Sequence, residues 1–172
     1  MLKVFGSVLI IFASAGFGFQ VCMDLKKHLQ MLYDVRKLFL DIANEMAYSM
    51  EPVEMILGQS VHSRNPYLNE FCHEIGEGLQ KKNRGNGQEL WQERLCVWQK
   101  KLGLTQEEKE IVAGAGSAFF GKSMGENEKS LEHCLERLDY VIDEVRGEQK
   151  EKQKVYQTVS VMCGLIVVIL LL

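Results

Sequence analysis

The sequence predicts an all-α protein: a bundle of about five or six helices between two transmembrane helices, with the first and last soluble helices continuous with the spans. Three observations predict this. Residues 4–23 and 155–172 contain no Asp, Glu, Lys or Arg. Between these runs, apolar residues recur at spacings near 3.6, the period of a helix with one buried face. No stretch shows the period-two alternation of a half-buried strand.

Taken in order, the run 4–23 would span roughly 30 Å as a helix, the thickness of a bilayer's hydrocarbon core. Beyond it, Leu25, Leu29, Leu32, Phe39, Ile42 and Met46 form one stripe, and no helix breaker occurs before Pro52. The first span therefore runs on into a long soluble helix. Asn65-Pro66 reads as a helix start, since Asn caps and Pro is tolerated in the first turn. Leu68, Phe71, Ile75 and Leu79 mark the buried face that follows. "NRGNG" at 83–87 is a flexible turn. Leu90, Trp91, Leu95, Trp98 and Leu102 form the next stripe, closed by Gly103 as a C-cap. "TQEE" at 105–108 has capping-box form and opens a helix bearing Ile111, Val112, Ala115 and Phe119. The last soluble helix carries Leu131, Leu135, Leu138, Ile142 and Val145. Only Gly147 offers a soft point before the run 155–172, which as a helix spans roughly 27 Å. The domains expected are thus a transmembrane helix over 4–23, a cytoplasmic helical domain over 24–154 and a transmembrane helix over 155–172.

Charge sets the orientation. Lys26, Lys27, Arg36 and Lys37 follow the first run, and Arg146, Lys150, Lys152 and Lys154 precede the second, while only Lys3 lies outside. Basic residues beside spans favour the cytoplasmic side. The rival is a signal peptide cleaved after "ASA" at 13–15, leaving an extracytoplasmic domain held by the second span; the apolar run continues past that site, and only Lys3 precedes it. Cys22 and Cys163 sit in the runs, and Cys72, Cys96 and Cys134 are an odd set without framework spacing, which suits a reducing compartment. The middle segment holds 19 basic and 23 acidic residues. That balance lacks the basic footprint of a nucleic-acid binder.

Residues 116–123, "GSAFFGKS", match the phosphate-binding loop pattern G-x-x-x-x-G-K-[ST] through Gly116, Gly121, Lys122 and Ser123. That loop works when a strand delivers a Gly-rich turn whose N–H groups face phosphates at a helix start. Here a helix-forming segment enters the pattern, Phe119 and Phe120 occupy places that want small residues, and the nearest metal-holding carboxylate, Asp143, is embedded in a helix. The match is expected to be accidental. Cys72-His73 and His133-Cys134 offer four potential zinc ligands, but neighbours on a helix point about 100° apart, so buried thiols are the expectation. His28 and His62 are isolated, and Glu107, Glu108 and Glu110 read as a solvated first helical turn. No catalytic, cofactor-binding or metal-binding residue is expected.

Four stretches resemble one family. These are "MLKVFG" continuing to Gly18-Phe19; "EMAYSMEPV", where Glu45, Tyr48 and Pro52 fit a Glu-x-x-Tyr-x-x-x-Pro pattern; "FGKSMG", where Phe120, Gly121 and Gly125 fit Phe-Gly-x-x-Leu-Gly; and "EQKEKQKVYQTVSVMCGLIVVILLL" at the end. In order and spacing they resemble the stage III sporulation protein AB family across the whole chain. Glu51, Met124, Val159-Ser160, Glu128 and Glu132 depart from residues usual there. The resemblance implies a two-span protein on the mother-cell side of the outer forespore membrane, with a cytoplasmic domain similar to that of the type II secretion F protein. It further implies a non-enzymatic platform in a secretion-like channel, with a cytoplasmic sporulation ATPase, other channel subunits and further copies of itself as partners. Glu45 and Tyr48 would then be interface groups or packing at the first bend, packing being favoured. The reading from another class is a small membrane-anchored nucleotide hydrolase using Lys122 and Ser123.

Overall fold

The structure is a computed structural model that describes residues 2–49, 53–60, 63–81, 86–121 and 124–171. Among the described residues there are six α-helices and no strand: α1 (Leu2–Ser49), α2 (Val53–Met55), α3 (Pro66–Lys81), α4 (Gly87–Leu102), α5 (Gln106–Phe120) and α6 (Met124–Leu171). A π-helical turn, Ile56–Ser60, follows α2 directly. The chain divides into two compact units, one of Met1–Leu29 with Asp143–Leu172 and one of Gln30–Ile142. The run 4–23 falls within α1 and residues 155–171 fall within α6, and most of their side chains lie outside the described residues. Among the described residues no helix is long and apolar enough to cross a membrane.

The core of the Gln30–Ile142 unit is built on Trp91, which is fully buried. Its ring lies 5.1 Å from Phe71, 5.8 Å from Phe119, 6.2 Å from Phe120 and 6.4 Å from Phe39, centroid to centroid. These tilted and edge-on geometries are the ones aromatic quadrupoles prefer. The indole nitrogen donates to the Val112 carbonyl at 2.9 Å, so the buried donor is satisfied. All five residues of the α4 stripe and all four of the α5 stripe are buried. In α1 the buried arc is wider than the stripe in the sequence: Met31, Val35 and Leu38 join Leu32, Phe39 and Ile42, while Leu25, Leu29 and Met46 are half-buried. In α6 Cys134 and Val141 are buried beside Leu138 and Ile142, whereas Leu131, Leu135 and Val145 are half-buried.

Local signals place the helix ends. Asn65 Oδ1 accepts from the Tyr67 N–H at 3.0 Å at the start of α3. Gly103 ends α4 at φ 67°, where a Cβ would be strained. Its N–H donates to the Lys100 carbonyl and that of Leu104 to Gln99, the paired bonds of a Schellman motif. The capping box forms at α5: the Glu108 N–H donates to Thr105 Oγ1 at 3.3 Å, and the Thr105 N–H donates to Glu108 Oε2 at 2.7 Å. Glu108 is therefore not solvated as expected but 2 % exposed, because reaching back to the cap tucks its carboxylate against the protein. Glu107 and Glu110 are exposed. Of the "NRGNG" turn, residues 83–85 lie outside the described residues.

A bidentate ion pair ties α1 to α6: Arg36 Nε and Nη2 reach Asp139 Oδ1 and Oδ2 at 2.5 and 3.0 Å. Both groups are partly exposed, so the pair counts for geometric specificity more than for net energy. On α3, Gly76 lets the π-helical turn approach to backbone contact. A Cβ there would meet Gly58 N at 2.8 Å.

Candidate functional site

The phosphate-loop match dissolves in the fold. Gly116 lies inside α5, four residues before its end, so the segment entering the pattern is a helix and its N–H groups are committed to that helix. A Cβ on Gly116 would lie 2.6 Å from Trp91 Cδ1, which gives this glycine a packing role. Gly121 follows α5 in extended conformation at φ −68°, and Lys122 and Ser123 lie outside the described residues. Asp143 stands within α6.

The two Cys-His pairs diverge as helical neighbours must. Cys72 is fully buried, and burial pushes its thiol up to about 12. His73 is exposed and lies 3.8 Å from Glu77. Cys134 is buried with its thiol donating to the Ile111 carbonyl at 3.1 Å, and burial pushes it up to about 11. His133 is exposed. A thiol held protonated is a poor ligand and a poor nucleophile. Among the described residues no three His, Cys, Asp or Glu side chains converge to hold a metal.

A different surface emerges on α1. Tyr33, Lys37, Asp41, Asn44 and Tyr48 recur at spacings of four and three and are all exposed, so they share one face of the helix. Beside it a cleft of about 200 Å³ opens between α1 and the turn into α3, lined by Tyr33, Lys37, Leu38 and Arg64 among others. Small-molecule sites run from about 300 Å³ upward, so this cleft fits a single side chain better than a cofactor. Asp34 on its wall accepts from Gln30 at 3.0 Å. Sequence reasoning missed Tyr33 and Arg64. The spacing of the tyrosines was visible, but nothing in it distinguishes an exposed face from a buried one.

Across residues 3–172 the sequence matches the model of the stage III sporulation protein AB family. The chain belongs to that family. No curated protein and no solved structure matches it.

Membership in the stage III sporulation protein AB family implies a role in sporulation and gives the motif residues their context. Glu45 is half-buried and engaged by a neighbour. Tyr48 is not packed at the bend as favoured from the sequence: it is 94 % exposed, because it falls on the outward face of α1. Pro52 lies outside the described residues. Phe120 packs on Trp91 and over Gly87, where a Cβ would come within 2.5 Å of its ring. The Gly121 carbonyl accepts from Asn127 Nδ2 at 3.2 Å, and a Cβ on Gly121 would collide with Asn127 Oδ1. Gly125 lies in the first turn of α6. The Phe-Gly part of the motif is thus a packed helix-to-helix connection, whereas Tyr48 is offered to solvent.

Proposed function

We propose that this protein is a non-enzymatic membrane platform on the mother-cell side of the outer forespore membrane. In this reading it spans the membrane twice and docks a cytoplasmic sporulation ATPase through its helical domain, within a secretion-like channel. The observation that carries the docking role is the 94 % exposure of Tyr48, a motif residue, on the same face of α1 as the Tyr33 cleft. Tyrosine, with an apolar ring and a polar tip, is favoured as an interface anchor. The two uncharged runs support the spans. The lysines and arginines that adjoin them on the inner side support the orientation.

The test places a protease-cleavable tag at Asn86 in spheroplasts and, in sporulating cells, a photocrosslinker at Tyr48 or, as control, at Gln92. Cleavage only after permeabilisation and an ATPase adduct from position 48 alone are expected. Cleavage in intact spheroplasts would reverse the orientation, and equal adducts from both positions would remove the role of Tyr48.

A further inference from the structure

In the unit of Met1–Leu29 and Asp143–Leu172, the lysines beside the two uncharged runs are of two kinds. Some are cancelled within their own helix. Lys27 lies 3.8 Å from Asp24, and Lys152 donates to Glu148 at 2.8 Å, which raises the lysine and lowers the carboxyl. Lys26, Lys150 and Lys154 are exposed and form no ion pair among the described residues. Lys26 stands three residues beyond the first run. Lys154 directly precedes the second, and Lys150 shares its face one turn earlier. Tyr156, half-buried, is the second residue of the second run, where an amphipathic ring suits a membrane interface.

Resting on the two-span reading above, we propose that Lys26, Lys150 and Lys154 form a binding surface for anionic phospholipid headgroups of the cytoplasmic leaflet. The membrane would hold the three ammonium groups within about one helical turn of the same surface, since all lie on the same side of the two spans. Their long stems lie along apolar surface while the charge reaches the phosphate layer. A cation at that depth favours an anionic over a neutral lipid about fivefold. Glu151, exposed in the same stretch, offsets one of the three charges. Two uncancelled charges give a net preference of roughly 25-fold.

The experiment inserts the full-length chain into vesicles of phosphatidylcholine alone and of phosphatidylcholine with phosphatidylglycerol. Insertion is read as resistance to carbonate extraction, and the lipids that stay bound are counted by mass spectrometry. Insertion into both vesicles is expected, with roughly 25-fold enrichment of phosphatidylglycerol that fades in high salt. The variant K26Q/K150Q/K154Q should still insert but lose the enrichment. The variant K100Q/K109Q/K129Q, an equal change of charge in the helical unit, should keep it. Insertion without enrichment, or enrichment that survives in K26Q/K150Q/K154Q, overturns the headgroup surface and leaves the two-span reading intact. A chain washed from both vesicles overturns both.

Discussion

Two glycines two residues apart in α5 should respond to alanine with opposite signs. Gly114 is exposed, with open space where a Cβ would stand, so alanine there removes only the helix-propensity penalty of glycine. Gly114→Ala should stabilise the chain by about 0.5–1 kcal/mol. Gly116 faces Trp91, whose Cδ1, Cγ and Nε1 would lie 2.6, 3.0 and 3.3 Å from the new Cβ. Ordinary carbon contacts begin near 3.5 Å, so the ring would have to retreat by roughly 1 Å. It has little room to do so, held by four aromatic neighbours and by its hydrogen bond to Val112. Overpacking of this kind costs about 1–3 kcal/mol. After the same propensity gain, Gly116→Ala should be destabilising by roughly 1 kcal/mol or more, and the gap between the two variants isolates the packing term. Denaturant unfolding of the full-length chain in neutral detergent, followed by tryptophan emission, measures both midpoints. The reasoning is refuted if Gly116→Ala is as stable as Gly114→Ala, for the glycine of the phosphate-loop match would then need another explanation.

Gly76→Ala should cost more than Gly116→Ala, about 2 kcal/mol or above, since its Cβ would press on the Gly58 backbone rather than on a side chain that can turn; the same unfolding midpoints check it. The thiols should separate by accessibility. Cys96, exposed, is modified by a thiol reagent at neutral pH, while Cys72 and Cys134 react only on global unfolding, as mass mapping would show. Because burial holds Cys72 near 12, above its ordinary value of 9.0, its contribution is fully present below about pH 9. As pH rises toward 12 the unfolded state alone releases the proton, so stability falls by about 1.4 kcal/mol per pH unit from this group. Midpoints at about pH 7, 9 and 10 should drop less steeply in Cys72→Ala than in the parent chain.

The α4–α5 region was legible in the sequence because its signals are local. The stripe of Leu90, Trp91, Leu95, Trp98 and Leu102, the Gly103 cap and the Thr105–Glu108 box all act within a few residues, and each formed as read. Where burial depends on partners far along the chain, the stripe gave only part of the answer. Met31, Val35 and Leu38 are buried because the 31–42 segment of α1 is covered over a wide arc. In α6, burial centres on Cys134 and Leu138 rather than on Leu131 and Leu135. Glu108 looked solvated by composition, and only its cap geometry explains its burial. The candidate site was the least legible part. Tyr48 and Trp91 are both large aromatics on helical stripes, yet one is 94 % exposed and the other fully buried. The role of Gly116 rests on a ring twenty-five positions earlier, a distance no local pattern reads.

The Arg36–Asp139 pair joins residues 103 positions apart, and it has a consequence for synthesis. A ribosome adding about 5–20 residues per second needs roughly 5–20 s to travel between them. During that interval the apolar arc of α1, from Leu32 to Ile42, waits for the helix that carries its counter-ion. The helices α3, α4 and α5 emerge in the meantime, and Trp91 can gather Phe71 and Phe119 before α6 exists. Closure of the core therefore waits until α6 has been made. A nascent chain stopped short of Asp139 would present the α1 arc as a chaperone client and a substrate for proteolysis.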